Sequence, residues 1–220
     1  MAIQIQGNSG VVGEVEGTTF RALRTVNRPL DMGALGHYRV AATVPLVVTQ
    51  AANGTVFSFR WGDATRFAVI QKLRISLLQT AAATATIMPS YQAFIARGFT
   101  VSDSAGTAVT LTGNNMKKRT NMGTTLVTDI RYSAVAAGLT AGTRTLDAQP
   151  IMELGTNSTI TTPNAILYEK ELEIDMAHGI HPFVLAQNEG LIVRGPTVVF
   201  GAAGTANLFV DMSWAEMAAF

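Results

Sequence analysis

The chain has no cysteine, which excludes a disulfide framework and a thiolate metal site. That suits a protein made in a reducing cytoplasm. Charge is scarce as well. Asp, Glu, Lys and Arg make up 14% of the 220 residues, against roughly 25% in ordinary soluble domains. Sixteen basic and fifteen acidic residues leave a net charge of +1, so no global field draws the chain to nucleic acid or an anionic membrane. No apolar run approaches the ~18 residues of a spanning helix. The opening Met-Ala-Ile-Gln-Ile-Gln lacks the basic-then-apolar layout of an export leader. The expectation is a soluble product with no recognisable leader, no membrane contact and no direct nucleic-acid binding.

What the chain has in quantity is alanine and threonine, 58 of its 220 residues. A surface short of charge and rich in small and β-branched residues suggests that much of it is covered in the working state. This points to obligate assembly, with a solitary low-charge protein as the bland alternative. The length suits one all-β domain plus an arm, and it suffices to bury a core without staples.

Residues 1–36 differ from the rest. Gly7, Gly10, Gly13 and Gly17 punctuate short apolar pieces, and Arg21, Arg24 and Arg28 follow, with Pro29 just after. The segment is too glycine-rich to hold a core and reads as an extended arm that lies on a neighbour or on its own body. Its three arginines could pair with carboxylates of another subunit, or simply be solvated.

Residues 37–220 read as a β domain. Residues 38–49 are apolar with Pro45 inside, the mark of an edge strand or a bulge. Asn53-Gly54 predicts a hairpin turn. Phe57, Phe59 and Trp61 alternate with Val56, Ser58 and Arg60. In 67–78, Phe67, Val69, Leu73, Ile75 and Leu77 are expected on one face, and Lys72, Arg74 and Ser76 on the other. Tyr91, Phe94 and Ile95 form a helical stripe, so residues 89–97 are expected to be the one helix, ended by Gly98. Residues 99–101 and 108–111 predict a hairpin, and 113–121 a polar loop. Strands are further expected over 126–132 and near 158–161. Residues 166–174 alternate with Glu169, Glu171 and Glu173 outward. At the C-terminal end, Leu208, Val210, Met212 and Trp214 alternate with Asn207, Phe209, Asp211 and Ser213, and Gly201–Gly204 predicts a hairpin loop back to the apolar run 191–200. Roughly ten short strands and short connections indicate an all-β, antiparallel β-sandwich or jelly roll with one short helix and an extended N-terminal arm.

Chemistry-bearing constellations are thin. His178 and His181 are three apart, with Asp175 three before, but Gly179 and Pro182 favour a turn, so a loop pair outweighs a metal site. The glycines of 7–13 lack the lysine and strand–helix context of a phosphate loop. Lys117, Lys118 and Arg119 form the only basic cluster, read as a solvated loop or a patch meeting an acidic partner. No histidine sits in a nucleophile elbow, and the Glu169, Glu171 and Glu173 row reads as a solvent face rather than a glycosidase pair. Trp61 and Trp214 are core candidates before they are sugar platforms. No cofactor, metal or enzymatic activity is expected.

Residues 187–194 (Gln-Asn-Glu-Gly-Leu-Ile-Val-Arg), 198–205 and 210–216, with 94–103, 114–119 and 139–143, resemble structural proteins of tailed-bacteriophage virions, in particular the small proteins encoded near the major capsid protein. The resemblance covers about residues 55–216. It implies a capsid decoration, or cement, protein: a jelly-roll or β-sandwich trimer on the capsid surface that clamps neighbouring capsomers through contacts with the major capsid protein. Interface candidates are Arg21, Arg24, Arg28, Lys117, Lys118 and Arg119. Two other classes stay open. One is a tail, neck or fibre component recognising a host glycan through Tyr91, Tyr132, Tyr168 or Tyr38. The other is a β-sandwich hydrolase using Glu169, Glu171 or His178.

Overall fold

A computed structural model describes residues 4–6, 12–14, 36–46, 51–82, 88–134, 138–157, 167–172, 181–195 and 204–218. The chain divides into two units, Met1–Asp31 and Met32–Phe220. In the first, β1 (Gln4–Gln6) and β2 (Val12–Glu14) form an antiparallel pair with Ile5 opposite Gly13.

The second unit is all-β, its sheets antiparallel, with no helix among the described residues. One sheet orders β11 (Leu167–Leu172), β5 (Phe67–Ala81), β14 (Thr205–Met217) and β3 (Gly36–Leu46), and β12 (Phe183–Leu185) also pairs with β5. The other orders β10 (Met152–Gly155), β6 (Ser90–Arg97), β13 (Glu189–Arg194), β4 (Thr55–Trp61), β8 (Asp129–Tyr132) and β7 (Thr107–Ala108), with β9 (Thr145–Leu146) beside β6. Both sheets contribute to one apolar core, an arrangement consistent with a β-sandwich.

The core follows from period-two alternation. Tyr38, Val40, Ala42, Val44 and Leu46 of β3 point inward, as do Leu208, Val210, Met212 and Trp214 of β14. From the opposite sheet come Phe57, Phe59 and Trp61. Trp214 joins the layers: Phe59 meets it edge-on at 5.1 Å between ring centroids, and Tyr38 stacks at 5.8 Å. Both tryptophans are fully buried, as the alternation predicts.

Several local expectations are corrected. Residues 90–97 form a strand, not a helix. As an inner strand, β6 has Tyr91, Ala93 and Ile95 in the main core, and Ala96 in a second cluster with Phe99 and Ile192. With both faces covered, its apolar residues lose the clean period of two and mimic a helical stripe. In β5, the core residues are Ala68 and Ile70, then Leu73, Ile75 and Leu77. The pairing with β14 slips from Ser213↔Lys72 to Trp214↔Ile70, so Gln71 is an extra residue that swaps the faces before it. Phe67 and Val69 therefore do not share the face of Leu73.

The predicted hairpin at Asn53-Gly54 is a crossing between sheets, and the strands on either side of Gly201–Gly204 do not pair with each other. Asn53 does take a left-handed turn conformation at φ 57°, but β3 and β4 lie in different sheets. So do β13 and β14. Residues 99–101 do not pair with 108–111 either. Phe99 N–H donates to Asn188 O, Thr100 N–H donates to Thr143 O, and Val109 N–H donates to Ile130 O. The expected strand over 126–132 is shorter, as β8, and 158–161 lie outside the described residues.

Loops are held by buried polar contacts. Arg144 forks onto Asp103 with Nε–Oδ1 3.0 Å and Nη2–Oδ2 2.8 Å, and Nη2 also donates to Thr55 Oγ1. Gly142 N–H donates to the same carboxylate at 2.8 Å. A Cβ on Gly142 would lie 1.9 Å from Val101 O, so only glycine fits that approach.

Candidate functional site

The outer face of the five-stranded sheet carries the most concentrated polar architecture in the larger unit. Its registers place side chains in rows across the strands. Arg39 of β3, Ser213 of β14 and Lys72 of β5 form one row. Ala41, Asp211, Arg74 and Glu171 form the next, from β3 to β11. With strands ~4.8 Å apart, Arg39 and Lys72 stand about 10 Å from each other, with Ser213 between them.

Residues 113–122, in the connection from β7 to β8, rise beside these rows as a wall. The loop pairs with the free edge of β3: Arg39 N–H donates to Met116 O at 2.8 Å and Lys118 N–H donates to His37 O at 3.0 Å. Met116 is buried in the core and anchors the loop. Sheet and loop enclose an open cleft of about 620 Å³. Arg39, Lys72, Arg74 and Lys118 line it with a single carboxylate, Asp211; Val109 borders it, and the buried Met116 and Met212 lie beneath its floor.

The cations are not equally satisfied. Arg74 donates to Asp211 at 2.8 Å and lies 3.6 Å from Glu169, while Lys72 pairs with Glu171 at 2.9 Å. Arg39 and Lys118 form no ion pair among the described residues. Partial burial against the sheet, and then the like charges of Arg39 and Lys72, lower the Lys118 pKa. A lysine that is harder to protonate among other cations marks a place of positive potential, favourable to an arriving anion.

Of the sequence-predicted interface residues, Lys118 lines the cleft. Lys117 is half-buried where its backbone bridges to Tyr38, and Arg119 is exposed outside the cleft lining. Arg21, Arg24 and Arg28 lie outside the described residues, as do Asp175, His178 and Glu173. His181 is exposed. Glu169 and Glu171 do lie on the solvent face, as partners of Arg74 and Lys72. Tyr38 and Tyr91 are fully buried, which removes them as glycan platforms. Tyr132 and Tyr168 are half-buried, and Tyr168 OH donates to Asn157 O. No three His, Asp or Glu side chains gather as a metal site among the described residues.

Arg39 was not legible as a site residue, because nothing local links it to Lys118 or Lys72. Its outward position on an alternating strand is the one signal the sequence holds.

Comparison with protein-family profiles, with curated proteins and with solved structures returns no match.

Proposed function

We propose that this chain is a non-enzymatic structural protein of a tailed-phage virion: a decoration protein that binds the outer shell and clamps neighbouring capsomers. In this reading it works as a trimer of jelly-roll-like sandwiches, with residues 1–36 as a strap. The observation that carries it is the cleft. In a chain with 14% charged residues, Arg39 and Lys118 border one open cleft on a sheet face without an ion-pair partner among the described residues. Such a concave, polar, open surface suits contact with another macromolecule. The virion resemblance of residues 55–216 supplies the setting, and cyclic symmetry is the default for an assembly of identical chains.

The test is native mass together with co-sedimentation on empty shells that lack the protein. A stable trimer that pellets with shells is expected. A monomer indifferent to shells would move the role to the tail or fibre.

A further inference from the structure

Arg39 and Lys118 are held together by backbone, not by mutual attraction. Hydrogen bonds between residues 116–118 and the β3 edge hold both main chains side by side, so the two cationic side chains spring from adjacent backbone and border the same cleft. Paired placement of uncompensated cations is unfavourable in the free protein and is relieved when an anion arrives. The acidic residues of the same face do not relieve it. Asp211, Glu169 and Glu171 are engaged by Arg74 and Lys72.

We propose that the cleft between β3, β14, β5 and the 113–118 loop docks an extended acidic segment of a protein partner, with carboxylates seated on Arg39 and Lys118. Size argues against a lone ion, since about 620 Å³ corresponds to some twenty water volumes. Nucleic acid fits poorly: no aromatic side chain lines the cleft for base stacking. A polypeptide fits each feature. Carboxylates meet Arg39 and Lys118, which have no ion-pair partner among the described residues, an apolar group meets Val109, and Asn115 and Ser213 can hydrogen-bond peptide groups. Beyond Arg39 no described residue pairs with the outward edge of β3 at Ala41 and Thr43, so an extended segment can also bond there.

The proposal rests on the structural-protein reading only in taking the partner to be a protein. Its test needs no shells. A fluorescein-labelled hexaglutamate peptide is titrated into the full-length protein, and anisotropy is read at low and at physiological salt. Saturable binding that weakens with salt is expected. Arg39→Glu and Lys118→Glu should each weaken it about tenfold or more, with Lys118→Gln intermediate. Arg119→Glu, outside the cleft lining, should stay within about twofold of wild type, and thermal melts should confirm that every variant is folded. Absent saturation, or equal losses for Arg119→Glu and Lys118→Glu, would overturn the site. Tighter binding of a hexathymidylate, or full displacement by millimolar phosphate, would overturn the acidic-peptide assignment. The two readings separate cleanly. Peptide binding without shell binding removes the decoration role and keeps the cleft; shell binding untouched by Lys118→Glu removes the cleft and keeps the role.

Discussion

Glu216, next to the last residue of β14, is a buried carboxylate with several donors around it. Thr125 Oγ1 donates to it, Leu126 N–H donates at 3.0 Å and Trp214 Nε1 at 3.2 Å. Burial nonetheless pushes its pKa up, the hydrogen bonds offsetting only part, with the Asp63 charge adding to the rise. The neighbouring Tyr38 is pushed up to about 12, by burial first and then by Glu216. An acid whose folded pKa is raised adds stability in full below its unfolded pKa and loses it as pH rises through the folded one. Urea unfolding across pH 4 to 8 should therefore show wild type losing stability relative to Glu216→Gln. The difference should fall by up to ~1.4 kcal/mol per pH unit while only the unfolded chain titrates. A flat difference would rule the charge out.

The Arg144–Asp103 pair makes the complementary case. Arg144→Met leaves Asp103, with no exposed side-chain surface, facing Gly142 N–H alone. A loss of about 3–5 kcal/mol in denaturant unfolding is expected. Asp103→Leu added to Arg144→Met should recover part of it, because an uncompensated buried charge costs more than an apolar replacement.

Among the elements, β3 shows how a sheet edge is managed. Its outward row runs from His37 and Arg39, which pair with the loop, through Ala41 and Thr43 to Pro45, which has no N–H to offer. Part of this edge is thus covered by the chain's own loop. Met116→Ala should test the element. Removing a buried anchor costs about 2–5 kcal/mol, and it should also speed amide exchange at Arg39 and Lys118, whose N–H groups donate to backbone carbonyls between loop and edge. Stability lost with exchange unchanged there would place the anchor elsewhere.

For β5 and β6, alternation failed for physical reasons. Gln71 inserts a bulge that reverses the faces of Phe67 through Ile70, and periodicity carries no mark of an extra residue. In β6, Tyr91, Phe94 and Ile95 are buried on opposite sides of one strand, so burial on both faces imitated a helix. β14 and β4 were read correctly because each sends one alternate set of large apolar residues into the core.

For the molecule as a whole, every described residue of the main core lies within the span from Tyr38 to Trp214. A chain beginning at Met32 should therefore fold, with a near-ultraviolet circular dichroism spectrum matching the full chain and a Tm within a few degrees. If residues 1–36 are the strap proposed above, the same chain should fail to pellet with shells. Full shell binding by the truncated chain would sink that part of the mechanism. A collapsed near-ultraviolet spectrum would instead give the first unit a share in the fold.

The sequence by itself determined the strand-rich class, the buried tryptophans, the alternating faces of β4 and β14 and the outward acidic residues of β11. These follow from the pleat, which is a property of neighbouring residues. Tertiary structure alone decided which strands pair, that β13 and β14 belong to different sheets, and that Ser213 stands between Arg39 and Lys72. Those outcomes depend on register between segments far apart in the chain, chosen by a core that both sheets fill together. The cleft belongs to the second kind, since its charges meet only after the sheet has formed.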